Sequence, residues 1–248
     1  MADLRFDGLD AVALTSRLAV PACELHGTVG STMDLAHAAA ERGAPGGTVI
    51  LADAQEAGRG RGGKRWTSPP GGGVWLTLVE RPSSARGLAV LSLRLGLHAA
   101  EALDALAGDR VRLKWPNDLH VGGRKLAGIL VEARWRDQRV EWVAIGFGLN
   151  VLSSTVPESA AGLLAGTTRI AALERVLPAL RRAAAVEGDL AADELARFGS
   201  RDRSVGRRIV QPAAGVVAGL STAGELLVDT DAGRVACCSG SLVYSEEG

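Results

Sequence analysis

The chain has only three cysteines, Cys23, Cys237 and Cys238. An odd count with an adjacent pair is no disulfide framework, and it points to a reducing cytoplasm. The pair falls in a strand-like segment and is expected as two small buried hydrophobes. Long apolar runs are also missing. Hydrophobic residues make up 47% of the chain, yet no run reaches the ~18 residues that a membrane helix needs. Neither sign of charge is in excess, with 28 Lys+Arg against 28 Asp+Glu. That balance gives no sign of a nucleic-acid or membrane partner. The histidines (His26, His37, His98 and His120) share no metal-ligand spacing with the cysteines. The opening Met1-Ala2-Asp3-Leu4-Arg5-Phe6-Asp7 carries acids and lacks the basic-then-apolar order of a signal peptide. No Ser-His-Asp constellation stands out. These exclusions leave an ordinary enzyme-sized chain, with one large domain and a small one.

Against that balanced background one segment is locally extreme. Gly58-Arg59-Gly60-Arg61-Gly62-Gly63-Lys64-Arg65-Trp66 sets four cations among four glycines and contains no acid. Glycines let the backbone approach a ligand closely and adopt positive φ. Arginines supply planar, permanently charged donors. Such a loop suits a phosphate, or a carboxylate held between phosphates, and Trp66 offers a flat face to cover a ring. Three plainer readings compete. A P-loop would need Ser or Thr where Arg65 stands, and a helix where Thr67-Ser68-Pro69-Pro70-Gly71 follows. Arg/Gly tracts that bind RNA are long and repeated, whereas this one is single. A solvated surface loop is the usual fate of a charge run.

The rest of the chain alternates strand-like and helical segments. Residues 22–30 read as a strand and turn. Ser31 or Thr32 caps a helix that runs to Arg42 and stops at Gly43. These hydroxyls would cap the helix, or present donors to a polar ligand. Segments 47–55 and 73–80 are β-prone, and 88–106 is a helix buried on most of its surface. A meander follows: 111–115, 117–121, a Gly122-Gly123 turn, 124–134, an Asp137-Gln138 turn, and 140–145 leading into Gly146-Phe147-Gly148-Leu149-Asn150-Val151. Period-two alternation from Lys125 puts it on one face with Ala127, Ile129 and Val131. A lysine on an apolar face must snorkel out or find an anion. Asp118 stands across the turn, and Lys114 lies just before Pro116. Two lysines and a carboxylate therefore converge, unless they serve only to protect a sheet edge. After a small-residue linker (152–166), two helices are expected at 167–186 and 189–198. Five short strands beyond Val205 suggest a small barrel.

Five motifs, in order, closely resemble those of biotin protein ligases. They are Gly30-Ser31-Thr32; Gln55-x-Ala57-Gly58-Arg59-Gly60-Arg61-x-Gly63-x-x-Trp66; Lys114-Trp115-Pro116-Asn117-Asp118-Leu119; Lys125-Leu126-Ala127-Gly128-Ile129-Leu130-Val131-Glu132; and Gly146-x-Gly148-Leu149-Asn150-Val151. The resemblance implies an α+β fold: a mixed, largely antiparallel sheet with helices, like the catalytic domain of class II synthetases, plus a C-terminal SH3-like β-barrel. It places a catalytic domain at 1–200 and the barrel at 201–248. It implies attachment of biotin to a lysine of a biotin carboxyl carrier domain, with ATP, Mg2+ and a biotinyl-5′-AMP intermediate. The carrier belongs to a biotin-dependent carboxylase, and the enzyme would be a cytoplasmic monomer or homodimer.

The same resemblance implies roles for individual residues. Arg59, Gly60 and Arg61 would wrap the biotin carboxylate and phosphates, and Lys125, the catalytic residue with Arg61, would sit at their junction. Ser31, Thr32 and Gln55 would hydrogen-bond the ureido ring, with Met33 and Gly128 also against biotin. Lys64, Trp66, Lys114, Asn117 and Asn150 would serve the nucleotide, and Asp118 the magnesium ion.

Several positions depart from the family pattern. Met33 replaces the usual Asn, so its biotin contact would be through backbone. Lys64 stands where Arg is common. Gly62 and Gly63 would leave the arginine loop looser than usual. About thirty residues precede Ser31, too few for the DNA-binding domain that some members carry, so no specific DNA binding is expected. A short helix near Leu9–Leu18 should pack on the core instead. Two other functions compete. A lipoate or octanoate ligase would share the fold class, and a non-catalytic biotin sensor would be expected to have lost Lys125 or Asp118.

Overall fold

The computed structural model describes residues 4–245, so Met1–Asp3 of the acidic N-terminal stretch lie outside the described residues. Its main body is a seven-stranded sheet, in the order β1-β2-β3-β7-β6-β5-β4. The strands are β1 (Cys23–Val29), β2 (Thr48–Gln55), β3 (Gly73–Glu80), β4 (Arg112–Lys114), β5 (Asp118–Val121), β6 (Arg124–Arg136) and β7 (Arg139–Asn150). Only β1 and β2 pair in parallel, across the helix α2 (Thr32–Glu41); the other pairs are antiparallel. Parallel neighbours need such a crossover, whereas antiparallel ones can be joined by tight turns.

Side-chain alternation divides the sheet into two faces. Val49 and Leu51, then Leu76 and Leu78, then Val143, Ile145 and Phe147 point into the main core. There they meet α3 (Leu91–Ala107) and α4 (Arg169–Ala184) through residues such as Leu95, Leu97, Leu173 and Val176. The opposite face carries a smaller cluster, in which Met33, Ala36, Ala39 and Ala40 of α2 cover Ile50, Val79, Trp142 and Ala144. Helix α2 is placed by its first residues: the Ser31 side chain accepts from the Met33 amide, and Gly43 takes φ 91° just past the end. The short helix α1 (Ala11–Arg17) packs on the core through Leu14, as its sequence suggested.

One buried ion pair ties helices together. Arg94 of α3 has no exposed surface, and it donates to both oxygens of Glu194 in α5 (Ala192–Arg201) at 2.6 and 3.0 Å. Its remaining donors meet the carbonyls of Val186, Gly188 and Asp189. Burial pushes the Glu194 carboxyl up, but the hydrogen bonds from Arg94 and the Ala191 amide outweigh it and hold it below the usual range.

The C-terminal residues form a five-stranded antiparallel sheet of β8 (Arg208–Gln211), β9 (Gly215–Leu220), β10 (Leu226–Thr230), β11 (Gly233–Cys237) and β12 (Val243–Tyr244). Its order is β11-β10-β9-β8-β12, with no pairing between β11 and β12 among the described residues, and this antiparallel sheet stands where a small barrel was expected. Ile209, Val217, Leu226, Val228 and Leu242 join the same core as α3 and α4. The expectation that Cys237 and Cys238 are buried is corrected: β11 is an outer strand, Cys237 is half-buried and Cys238 exposed. Cys23 is the buried one, and burial pushes its thiol up to about 11.

Candidate active site

The α2 face of the sheet is only half covered. Beyond α2, β6 and β7 present Gly128, Gly146 and Gly148 where bulkier side chains would fill the space. A Cβ at Gly148 would lie 2.5 Å from Trp66 Cε2, and one at Gly146 2.8 Å from Met33 Cε. Glycine is required here for close approach. The resulting floor underlies a cavity of about 250 Å³.

One end of the cavity is uncharged. Gln55, at the end of β2, accepts from the Thr32 amide at 2.9 Å and the Thr32 hydroxyl at 3.1 Å. Its own amide donates to Ser68 Oγ at 2.8 Å. The Thr32 hydroxyl also meets Thr77 at 2.9 Å. Ser31, Thr32 and Met33 line this end, and the two hydroxyl side chains are buried.

The opposite end is ionic. Lys125 Nζ lies 2.7 Å from Asp118 Oδ1 and 5.1 Å from the Trp66 ring centroid. Lys114 pairs in register with Asp118 between β4 and β5. Burial lowers its pKa, Asp118 opposes the shift, and the charges of Arg203, Lys125 and Lys64 add to it. Asn117 pins the start of this region: its carbonyl accepts from the Ile129 amide, and its side chain donates to the Ile129 carbonyl at 2.7 Å.

Strict alternation, which would put Lys125 on one face with Ala127 and Ile129, is broken at the start of β6. The β5–β6 register shifts so that Leu119 faces Ala127 while His120 faces Lys125, which leaves Leu126 as an extra residue. A bulge of this kind reverses which face the following residues share. Leu126, Ala127 and Ile129 therefore belong to the core, and Lys125 shares the cavity side with Gly128. The lysine never lies on the apolar face, and it does find an anion.

The arginine loop bridges the two ends as a small hairpin. The Gly60 amide donates to the Lys64 carbonyl at 2.7 Å, the Trp66 amide to Gly58 at 2.8 Å, and Arg59 bridges Arg65. Gly62 and Gly63 take φ 64° and 73° at its tip. The paired glycines thus make a hydrogen-bonded tight turn, where a looser loop was expected. Arg59 reaches Asp34 at 2.8 Å, Arg61 reaches the Gly240 carbonyl at 3.4 Å, and Arg65 is bonded to the Glu56 carbonyl. Arg59, Gly60, Arg61 and Lys64 all line the cavity. The Trp66 indole rests on the glycine floor, and its Nε1 is buried without a partner.

Fourteen of the residues singled out from the sequence share this one cavity, Trp66, Asn117 and Gly128 among them. Asn150 does not line it: it is buried behind the wall and donates to the Lys125 carbonyl at 3.4 Å. Sequence reasoning missed Thr77, which alternation along β3 would have placed on the cavity face. It also missed Ser241, Leu242 and Val243, which reach the cavity from the C-terminal sheet with no local signal.

A resident metal ion does not fit. Among the described residues Asp118 is the only carboxylate lining the cavity, and it is paired with Lys125. No group of three His, Cys, Asp or Glu side chains is placed to hold a metal among the described residues. Magnesium commonly uses one or two carboxylates and substrate phosphates, so these residues fit an ion carried in on a nucleotide.

This combination, a neutral polar recess joined by a cationic loop to a lysine-rich end on a glycine floor, is what adenylation of a carboxylic acid would need. The biotin/lipoate A/B protein ligase family profile matches residues 28–150, and the chain belongs to that family. Within it, the chain is 31% identical over 218 residues to the biotin–[acetyl-CoA-carboxylase] ligase of Mycobacterium tuberculosis, covering 80% of this chain and 79% of that protein. It is 40% identical over 124 residues to the bifunctional ligase/repressor BirA of Bacillus spizizenii, but that match covers 50% of this chain and 38% of BirA. The chain therefore spans well under half of such longer relatives. Among solved structures, the biotin protein ligase of Aquifex aeolicus in complex with biotin and ATP superposes with a TM-score of 0.74 at 27% identity, covering 90% of this chain and 99% of that one.

Proposed function

We propose that this protein activates biotin with ATP and transfers it to a lysine of a carrier domain. The carrying observation is the single cavity in which a neutral hydrogen-bonding recess and a lysine-rich end face each other. The polar recess of Ser31, Thr32 and Gln55 suits a ureido ring, which must keep hydrogen bonds when buried. A lipoyl or octanoyl chain would bring no hydrogen-bonding group to this recess. Met33 and Gly128 supply wall and floor beside the biotin, and Trp66 covers the adenine.

The chemistry joins two anions. An oxygen of the biotin carboxylate forms a bond to the α-phosphorus, the bond to the pyrophosphate oxygen breaks, and pyrophosphate leaves. Repulsion between the reactants must be offset by placed cations. Arg59 and Arg61 flank the carboxylate, with Gly60 between them leaving room for it, and Lys125 sits where the charges meet. Lys64 and Lys114 hold phosphates, and Asp118 would help to hold a magnesium ion brought in with the nucleotide. Asn117 and Asn150 act on the protein frame, fixing β6 and the Lys125 main chain. In the second step the carrier lysine amine attacks the acyl carbon of the mixed anhydride, and AMP leaves. An open groove of about 1030 Å³, between the arginine loop and β6, gives that amine an approach. We assign residues 1–200 to the catalytic unit and 201–248 to a C-terminal unit. Three free cysteines are in keeping with a reducing cytoplasm.

The test is ATP–pyrophosphate exchange with magnesium, with biotin, lipoate and octanoate in parallel. Exchange with biotin alone is expected, followed by transfer to a biotin carboxyl carrier domain. Exchange with lipoate would overturn the biotin assignment. No exchange, in protein that still binds biotin, would make it a sensor.

A further inference from the structure

Lys114 lines the cavity at its ionic end, yet it lacks the partner that Lys125 has. Asp118 gives its Oδ1 to Lys125 at 2.7 Å, and among the described residues Lys114 forms no ion pair. What the Lys114 ammonium meets is a ring: the Tyr244 centroid is 5.3 Å away. Tyr244 lies on β12, far from Lys114 in sequence, and is the only tyrosine in the chain. It is held firmly. Its hydroxyl meets Ser204 Oγ at 3.1 Å, and Ser204 is fully buried with its amide donating to Asp202 at 2.7 Å. The Arg207 guanidinium lies 3.8 Å from the ring centroid. Val243, the preceding residue, is itself part of the cavity wall.

The choice of partner matters. A carboxylate beside Lys114 would cancel its charge and compete with an incoming anion. An aromatic face steadies an ammonium through its quadrupole and leaves the net charge in place. The half-buried ammonium feels Asp118 across the ladder but is crowded by Arg203, Lys125 and Lys64, and among the described residues it has no carboxylate at ion-pair distance. We propose that Tyr244 is a positioning residue that holds Lys114 toward the phosphates of the nucleotide, which makes β12 part of the nucleotide site. This rests on the reading of the cavity as an adenylating site, and it gives the C-terminal sheet a direct part in the first step.

The experiment is a double-mutant cycle read by calorimetry with a magnesium complex of a non-hydrolysable ATP analogue. Tyr244→Leu is expected to weaken nucleotide binding about tenfold, the scale of a desolvated cation–ring contact. Tyr244→Phe keeps the ring and restores most of that loss, and biotin affinity is the same in all three proteins. In a Lys114→Met background, Tyr244→Leu adds nothing further. A full Tyr244→Leu effect in that background, or an equal loss of biotin binding, overturns the proposal. If the unaltered protein binds no nucleotide, the adenylation reading falls as well. If it binds and exchanges normally but the cycle is additive, only the role of Tyr244 is lost. Incorporated 3-fluorotyrosine adds a single-site check, because its one resonance must shift when the nucleotide binds.

Discussion

At the end of the cavity built from β1, α2 and β2, Ser31, Thr32 and Gln55 are already bonded to neighbouring groups. At the end built from β4, β5 and β6, Lys114 and Lys125 share a single carboxylate, and only Lys125 is within ion-pair distance of it. The difference matches what each end would receive. A neutral head group gains most from a rigid set of dipoles that needs no rearrangement. A polyphosphate brings its own negative charge, so the receiving cations are best left uncompensated beforehand. The neutral end is therefore finished before the ligand arrives, and the ionic end is completed by it.

Removing the charge at the junction should separate the two ends most sharply. Lys125→Ala is expected to lower the rate of pyrophosphate exchange by roughly 10²- to 10³-fold at saturating substrates, the scale of losing one transition-state donor. Retention of a tenth of the rate would show that Lys125 is no more than a surface cation. Next is the floor that both ends share. Gly148→Val forces a side chain into the place of Trp66, 2.5 Å away at the first atom. Overpacking of this kind costs about 1–3 kcal/mol. It should appear both as a lower denaturant midpoint and as weaker nucleotide binding.

A smaller effect, confined to the neutral end, is expected from Gln55→Leu. The Thr32 amide loses its acceptor at 2.9 Å, a penalty of about 1–3 kcal/mol for a buried donor. Stability should fall by about that amount, read as a lower denaturant midpoint, and biotin binding measured by calorimetry should weaken with nucleotide binding unaltered. An equal loss of both would erase the distinction between the ends.

The mildest probe is pH. Burial lowers the pKa of Lys114 below its ordinary value of 10.5. The ammonium is present below that lowered pKa, so nucleotide affinity is full there and falls as pH rises through it, earlier than an ordinary lysine would dictate. The loss should be about fivefold, the difference between a charge-assisted and a neutral hydrogen bond. Lys114→Met should abolish the step, and biotin affinity should not show it.

Much of this site was legible in the sequence because its residues come in short blocks, each of which folds as a unit. Ser31 caps a helix, Gln55 ends a strand, and Lys114 and Asp118 face each other across a turn, so local rules place them. The errors came where a local rule meets a non-local one. Strict alternation put Lys125 on the core face because the bulge at Leu126 depends on how β6 pairs with β5. Asn150 sits in a conspicuous motif, yet its side chain turns to the Lys125 carbonyl. Burial of Cys237 and Cys238 was expected from residue type, but β11 is an outer strand, and strand order has no signature in five residues. The contribution of Ser241 to Val243 was invisible for the same reason. It arises from how a distant sheet docks.

The glycine floor also has an evolutionary consequence. Along β7, residues 143, 145, 147 and 149 face the core, while 144, 146 and 148 face α2 or the site. Neighbouring positions on one strand thus answer to two kinds of selection. A saturation library scored once for abundance and once for growth on limiting biotin would show the strand as two interleaved records. Changes at 145 and 147 would remove the protein, whereas small additions at 146 and 148 would leave more of it folded than working. Drift toward a new acid substrate has its easiest route through those glycines, where volume can change with the core left intact.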